Sequence, residues 1–533
     1  MNGTEEERKE NARTVAAIDI GANSVRMEVA EVLPDGDIEV LERMAKATYL
    51  GHDSFRRQSL SPKTMRAVLN ILREFQRTIQ VYGCAPVRAV ATSAIREASN
   101  RFLFLDRVSM SVGFDVEVID VSEESRLTVS AVRQSMGAEL AKGRGLTLIA
   151  EVGGGNTVLT VLQEGEIEAS QSVPLGSIRL QEALSTSNDP PEQVAEIMQN
   201  QISNVISTIQ TTLPLKRVTK FIATGGDVRF AANQVGKSMR GSDLKQVTRE
   251  DFDRLVRRCV KCTPEVLARK FGLPFSKVDT LNPALLVYQT LLRATKARKM
   301  IVSDVSMRDG LLLDLARGVM GQEDPAFAEG VLHSAMAIAR KFHTDMSHAQ
   351  QVAGLSVRLF DVLAKEHGLG GRHRLLLEAA GLLHEIGGLV SSRGHHKHSY
   401  YLISNAEIFG LSREELQTVA HVARYHRRSG PKPSHVDYMS LPRHQRMAVN
   451  KLAALLRVAD ALDRGHAQQV SAFAAEIKKE DLVLSIPGVN DLTLERRAVA
   501  AKGDLFEEIY GLGIRLEESA GMLIEDHRAE AVE

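Results

Sequence analysis

Two glycine turns constrain this chain most: AIDIGANSVRM at 17–27 and AEVGGGNTVLTV at 150–161. Each follows an apolar run that reads as a strand, Val15 to Ile20 and Leu146 to Val152, and each has an acid beside the turn, Asp19 or Glu151. After the bend both return to an extended pattern, with Val25, Met27 and Val29 in one and Val158 and Val161 in the other. Residues with little or no side chain at a strand–turn–strand bend let backbone N–H groups come close to a phosphate. The neighbouring carboxylate is placed to hold a metal ion or to orient a water. The repeat after roughly 130 residues predicts two related lobes facing each other across a phosphate-binding cleft.

A chain of 533 residues exceeds one core and implies three or four domains. The formal net charge is zero, so no global field draws it to nucleic acid or membrane, and anion binding has to be local. Three cysteines, Cys84, Cys259 and Cys262, make no disulfide framework and fit a reducing cytoplasm. Cys259 and Cys262 form a lone C-x-x-C and read as helix-surface residues. Residues 1–13 are polar, without the apolar core of a secretion signal, and read as a disordered tail. No apolar run approaches the ~18–20 residues that a membrane span needs.

Beyond the first turn, Asp35-Gly36-Asp37 reads as a hairpin tip, and Ser61 caps a helix with Pro62 at its first position. Arg88 to Ala94 and Asp115 to Val121 read as strands, the latter followed by a helix to Met136. The second half repeats the order. A β-pair ends at Glu164-Gly165, a helix follows near 188–212, and a strand at Val218 to Ala223 runs into Thr224-Gly225-Gly226-Asp227. A helix at Leu285 to Ala294, a strand at Met300 to Val305 and a helix opening at Arg308-Asp309-Gly310 complete it, before a linker at Gly318 to Ala326. Alternating hairpins and crossover helices imply an α/β layer sandwich. After the linker the strands vanish, and fourteen of the sixteen histidines lie between His333 and His466, so this half is a separate helical unit. EDLVLSIPG and DLTLE then read as a short β-pattern in a C-terminal α+β piece.

With these residues located, the chain resembles the exopolyphosphatase / guanosine pentaphosphate phosphohydrolase family. The segments that carry the resemblance are DIGANSVRM, ATSAIREASN at 91–100, VIDVSEESRL at 118–127, EVGGGNT, PLGSIRL at 174–180 and VSMRDGLLLDL at 305–315, in the family's order. The resemblance implies an α/β actin-like, ribonuclease H-like double lobe, followed by an all-α HD-type domain and a small α+β C-terminal piece. The expected boundaries are 14–130 for lobe I, 131–318 for lobe II, 327–471 for the HD-type domain and 472–533 for the last piece. The implied activity is Mg²⁺-dependent release of terminal orthophosphate from inorganic polyphosphate in a cytoplasmic homodimer. Hydrolysis of guanosine pentaphosphate, or a catalytically weakened sensor of either ligand, is the alternative. Actin-like lobes also build kinases, but no adenosine-pocket signature stands around Gly225-Gly226.

Carried over by position, Glu124 would activate the attacking water, with Glu123 as the alternative. Asp19 would bind Mg²⁺ or hold the water, Glu151 would assist with the metal, and Arg96 would grip the terminal phosphate. Backbone N–H groups of Gly21, Ala22, Asn23 and Ser24, and of Gly153, Gly154, Gly155 and Asn156, would cradle the phosphates. The chain has Glu151 where the family usually has aspartate, Asn156 for serine, Val158 for glutamate and Asp227 for threonine. In the helical half, His348, the doublet His384-Glu385 and Asp460 fall in the order of an HD phosphohydrolase metal site, with Glu for Asp in the doublet. His396, His398, His421 and His426 lie where some HD enzymes place extra ligands. Imidazoles and carboxylates converging from several helices can hold a second divalent metal.

Overall fold

The first glycine turn joins β1 (Arg13–Ile20) to β2 (Ser24–Val32), and the Gly36 turn, at φ 88°, returns the chain into β3 (Ile38–Ala47). The computed structural model describes residues 12–137, 140, 145–183, 189–239, 244–321, 325–427, 429–489 and 491–519. Most of the expected N-terminal tail therefore lies outside the described residues, and Arg13 already belongs to β1. Two compact units emerge, residues 1–330 and 331–533.

The first unit holds two sheets. In one the order is β3-β2-β1-β4-β5, where β4 is Val87–Ala91 and β5 is Val116–Val118. Strands β1 to β3 are antiparallel, and β4 and β5 run parallel to β1. The other contains β6 (Leu146–Val152), β7 (Thr157–Gln163), β8 (Glu166–Val173), β9 (Val218–Thr224), β10 (Lys237–Ser238), β11 (Lys245–Thr248) and β12 (Lys299–Val302). Its order, β10-β11-β12-β9-β6-β7-β8, contains the first pattern again, with two strands added at one edge. The sequence repeat is thus a repeat of topology, and each glycine turn caps the central hairpin of its own sheet.

Local chemistry places the helices that flank the site. Ser61 accepts from the Thr64 N–H at 3.2 Å, with Pro62 next, and the helix Pro62–Tyr82 buries Val68, Leu69, Leu72 and Phe75 as its period predicts. Asp120 accepts from the Glu123 N–H at 3.0 Å and starts the helix Val121–Met136, which fixes Glu123 and Glu124 in its first turn. That helix runs through residue 130, and the helix Met307–Met320 packs against it and against β1.

Several elements differ from the sequence reading. The strand expected to Ala94 ends at Ala91, because Thr92 O accepts the N–H groups of Ile95 and Arg96 and a helix begins at Ser93. The helix expected from Leu285 begins at Phe275 and runs through Pro283, since burial of Val278 and Leu281 outweighs one lost backbone bond. Gly318 lies within the helix Met307–Met320 rather than in a linker. Cys259 is fully buried, on the same helical face as Phe252, Leu255 and Val256. It is a core residue.

The second unit packs the helices Met346–Val362, Gly371–Leu383, Arg413–Arg424 and Arg443–Leu462. A sheet of β13 (Ala474–Lys478), β14 (Asp481–Pro487) and β15 (Gly513–Ser519) follows. DLTLE is not a strand, because Asp491 accepts from the Thr493 N–H at 2.9 Å and turns the chain into the helix Thr493–Lys502. Among the described residues no helix is long and apolar enough to cross a membrane.

Candidate functional site

The two glycine turns touch. A Cβ on Gly154 would stand 2.9 Å from the Ala22 Cβ, and one on Gly155 would overlap Ser93 and Phe55. Their carbonyls are turned into protein. Ala22 O accepts from Gly51 N–H at 2.9 Å and Asn23 O from Thr48 N–H at 2.9 Å. Gly153 O accepts from Ser177 N–H, Gly154 O from Ile178 N–H, and Gly155 O from Arg179 Nε at 2.7 Å. The N–H groups of Gly21 and Gly153 close the turns onto Ser24 O at 3.0 Å and Asn156 O at 2.9 Å, so the phosphate cradle expected from residues 21–24 and 153–156 does not include those two donors.

Both turns line one cavity of about 170 Å³. Asp19, at the end of β1, Glu124, on its helix, and Glu151, in β6, share that cavity. Burial pushes the Glu124 carboxyl up to about 7, against the pull of Arg96, and the charges of Glu151 and Asp19 add to the rise. Glu151 is also raised, mainly by burial and then by Asp19, while the Thr128 hydroxyl donates to it at 2.6 Å and offsets part of the rise. Asp19 is held by Arg308 Nη1 at 3.2 Å, and Arg308 Nε reaches Glu28 at 3.2 Å. Glu124 and Glu151, both raised by burial and by the charge of Asp19, are candidates for acid–base chemistry, and Asp19 and Glu151 offer carboxylate oxygens to a cation.

Not every expected residue reaches the cavity. Arg96 sits behind Glu124: its Nη1 lies 2.6 Å from Glu124 Oε1 and 2.6 Å from Ile119 O. Glu123 points elsewhere. It pairs with Arg126 at 2.7 Å and Arg88 at 2.9 Å, in a network completed by Asp314, and those cations hold it down to about 2 despite burial. Val158, paired with Glu151 across the hairpin, presents an apolar wall.

The sequence reading missed the cations of the cavity. Arg26, Arg229, Lys277 and Arg308 all line it, as do Thr92 and Ser93. Arg26 was legible in principle, because it pairs with Asp19 in the β1–β2 register and alternation puts both on one face. Nothing local marks Lys277. Asp227 stands among Arg26, Lys277 and Arg229. Burial raises its carboxyl to about 6, while the Thr280 hydroxyl and those three cations restrain the rise. Behind the loops, the fully buried Tyr288 donates to Thr224 O and accepts from the Val152 N–H at 3.0 Å, tying the turn after β9 to β6.

The second unit brings His348, His384 and Asp460 within ligating distance of one another, all buried. His348 Nδ1 is fixed by Asp463 at 2.8 Å and His384 Nδ1 by Gly381 O at 2.7 Å; each Nε2 is buried without a hydrogen bond among the described residues, and that of His348 lies 3.7 Å from Asp460 Oδ1. Outward Nδ1 bonds with inward Nε2 atoms are how metal-binding imidazoles are oriented. Asp460 is also paired with Lys502, which with the histidines holds its carboxyl well below the usual range despite burial. Glu385 belongs to a second grouping with His348 and His466. His426 Nε2 faces His395 Nε2 at 3.1 Å. His421 lies among the rings of Tyr400, Tyr425 and Tyr438, and burial lowers it to about 4.

A model of the Ppx/GppA phosphatase family matches residues 29–318, and one of domain III of the Ppx/GppA phosphatases matches residues 332–501. A Vibrio vulnificus protein named guanosine-5'-triphosphate,3'-diphosphate pyrophosphatase is 24% identical over 457 residues, which is 84% of this chain and 86% of that one. The crystal structure of an exopolyphosphatase from Cytophaga hutchinsonii is 22% identical over 58% of this chain and all 100% of its own, with a TM-score of 0.52. The Aquifex aeolicus member of the Ppx/GppA family is 24% identical over 58% of this chain and 99% of its own, at a TM-score of 0.48. The doubled sheet order and the Cytophaga likeness place the first unit in the actin-like fold.

Proposed function

Because the chain belongs to the Ppx/GppA phosphatase family, whose members hydrolyse phosphoric anhydrides, we propose that it releases terminal orthophosphate from inorganic polyphosphate in the cavity between its glycine turns. The observation that carries this reading is the convergence of Glu124, Asp19 and Glu151 on a cavity walled by residues 21–24 and 153–156.

Phosphoryl transfer gathers charge on non-bridging oxygens, so donors and cations fixed in advance supply most of the catalysis. The N–H groups of Ala22 to Ser24 and of Gly154 to Asn156 cradle the chain end, and Arg26, Arg229, Lys277 and Arg308 offset its charge. Glu124 orients the attacking water and takes its proton; a carboxyl near 7 is poised for that at neutral pH. The water oxygen bonds to the terminal phosphorus as the bridging P–O bond breaks, and the shortened chain leaves with that electron pair. Arg96 acts through Glu124, as a positioning residue. Asp19 and Glu151 offer the oxygen ligands that Mg²⁺ prefers, and their mutual repulsion is what a cation there relieves. When bound, Mg²⁺ neutralises charge on the phosphoryl oxygens.

The helical unit is proposed as HD-type, with His348, His384 and Asp460 as a second divalent-metal site. The two buried Nε2 atoms without a hydrogen bond among the described residues support this.

The second reading, hydrolysis of guanosine pentaphosphate, is favoured by the name of the Vibrio relative, which aligns over most of both chains. Orthophosphate release from long-chain polyphosphate and from guanosine pentaphosphate, with Mg²⁺, separates the two. Release that collapses in Glu124→Gln supports the cavity mechanism, and the substrate ratio picks the activity. No release from either substrate by folded protein overturns the enzymatic reading in favour of a sensor.

A further inference from the structure

The segment PLGSIRL at 174–180 packs backbone to backbone against the second glycine turn. Gly176 permits the approach, because a Cβ there would stand 2.1 Å from the Gly155 carbonyl carbon. Ser177, Ile178 and Arg179 then open the helix Ser177–Ala183, and their N–H groups donate to Gly153 O and Gly154 O. The Arg179 side chain continues the pattern, with Nε donating to Gly155 O at 2.7 Å. Arg179 itself lies outside the cavity lining.

That last bond has a directional consequence. The peptide joining Gly155 to Asn156 is trans, and a trans peptide holds its C=O and N–H antiparallel in one plane. Tying Gly155 O to Arg179 turns the Asn156 N–H away from the guanidinium. Asn156 lines the cavity, so the aim of its N–H is set by a side chain that stands outside.

The same guanidinium reaches the segment after β4. Its Nη2 donates to both Glu97 oxygens, at 2.6 and 2.7 Å, and lies 3.3 Å from Asn156 Oδ1. Glu97 directly follows Arg96 at the end of the short helix Ser93–Arg96, and Arg96 Nη1 holds Glu124. The guanidinium carbon also lies 4.2 Å from the centre of the Phe55 ring. Phe55 belongs to the helix Leu50–Arg57, whose Gly51 N–H donates to Ala22 O of the first turn. One side chain thus joins both turns to the segment that aims Glu124. The Glu97 pair is partly exposed and adds little stability, so its content is geometric.

We propose that Arg179 is a positioning residue for anhydride hydrolysis, setting the Asn156 N–H and, through Glu97, the Arg96–Glu124 pair in one geometry. The inference rests on the hydrolytic reading of the cavity. A planar fork that stacks on a ring while bonding a carboxylate and a carbonyl is work that lysine does not reproduce.

Steady-state phosphate release tests the role. In Arg179→Met, kcat is expected about 10²-fold below wild type, the cost of misplacing reacting groups by about 1 Å, with KM within about threefold. Methylguanidine is expected to restore kcat of that variant at least fivefold, and methylamine to restore none. Glu97→Gln, at an exposed position, is expected to lower kcat at least threefold and to add no loss in the Arg179→Met background. It keeps the test open if Arg179→Met fails to fold. A KM rise matching the fall in kcat, or no rescue by methylguanidine, overturns the positioning role. Undiminished kcat in Glu97→Gln, or multiplied losses in the double variant, overturns the route through Glu97. Amide exchange over residues 153–156 of the free protein is expected to quicken at least threefold in Arg179→Met. Should folded wild type cleave neither anhydride, the hydrolytic reading fails by itself; unchanged exchange overturns the hold of Arg179 on the turn.

Discussion

Arg96 Nη1 lies 2.6 Å from Glu124 Oε1, while Arg96 Nη2 is buried without a hydrogen-bond partner among the described residues. The guanidinium therefore holds one carboxylate closely and has a donor to spare. Burial drives the Glu124 carboxyl upward, Arg96 draws it back, and the balance lies near 7. Glu124→Gln preserves shape and the bond to Arg96 but removes the basic oxygen. Turnover should fall by about 10²–10⁴-fold, with KM within a few-fold of wild type. Steady-state phosphate release measures both, and a variant retaining more than a tenth of wild-type turnover would remove Glu124 from the mechanism.

Arg96 sets the pH response. The base works only when ionised, so kcat/KM should rise with pH through about 7 in the wild type. Arg96→Met removes the group that favours the carboxylate, so the carboxyl titrates higher and the rising limb moves to higher pH. The variant is expected to lose more activity at acid pH than at alkaline pH, and Arg96→Lys to restore the limb in part. A limb that stays in place while activity falls uniformly would assign Arg96 another role.

Contact between the two turns has its own consequence. Gly154→Ala puts a methyl 2.9 Å from the Ala22 Cβ and forces the turns apart. Overpacking of this kind costs about 1–3 kcal/mol, and phosphate release should fall at least tenfold because both N–H cradles shift. Gly318→Ala is the control. It lies inside a helix with nothing near the added Cβ, and should raise stability by about 0.5–1 kcal/mol. Thermal unfolding and turnover, measured on both variants, separate packing from catalysis.

Lys502 occupies the charge of the histidine cluster. It comes from the helix Thr493–Lys502 and pairs with Asp460, so a metal at His348, His384 and Asp460 has to share that carboxylate. Lys502→Met leaves Asp460 uncompensated, and Mn²⁺ affinity should rise at least tenfold. His384→Ala should abolish the binding. Both are read by calorimetry against Mn²⁺, and indifference to either substitution would dismiss the site.

Sequence made the doubled fold legible because it rests on local signals: two glycine turns, a Ser-Pro cap, and period-two strands on either side. The carboxylates Asp19, Glu124 and Glu151 were reachable because each stands beside a turn or in a matched segment. The cations were harder. Lys277 enters the cavity from the first turn of the helix Phe275–Ala294, and Arg308 arrives from far along the chain, so only tertiary packing brings either to Asp19 or Asp227. Glu123 and Glu124 are neighbours in sequence, yet one faces Arg88, Arg126 and Asp314 while the other faces the cavity. Helical rotation of about 100° per residue divides them, and only the placement of the helix says which is which.

Asp227 brings a buried carboxyl into the wall of the cavity. It stands among Arg26, Lys277 and Arg229, the groups available to a polyanion. Its carboxyl, raised to about 6 by burial, is ionised above that pH and cancels part of their field. Asp227→Asn restores one unit of positive charge, and at distances of several ångströms this should lower KM for a polyanionic substrate by about three- to tenfold at pH 8. Below pH 6 the wild-type carboxyl is neutral and resembles the amide, so the two KM values should converge. Parallel KM profiles from pH 5 to 8.5 make the comparison. A constant ratio across that range would mean that Asp227 acts through shape rather than charge. Convergence on the acid side would make it a built-in brake on substrate binding, released as the pH falls.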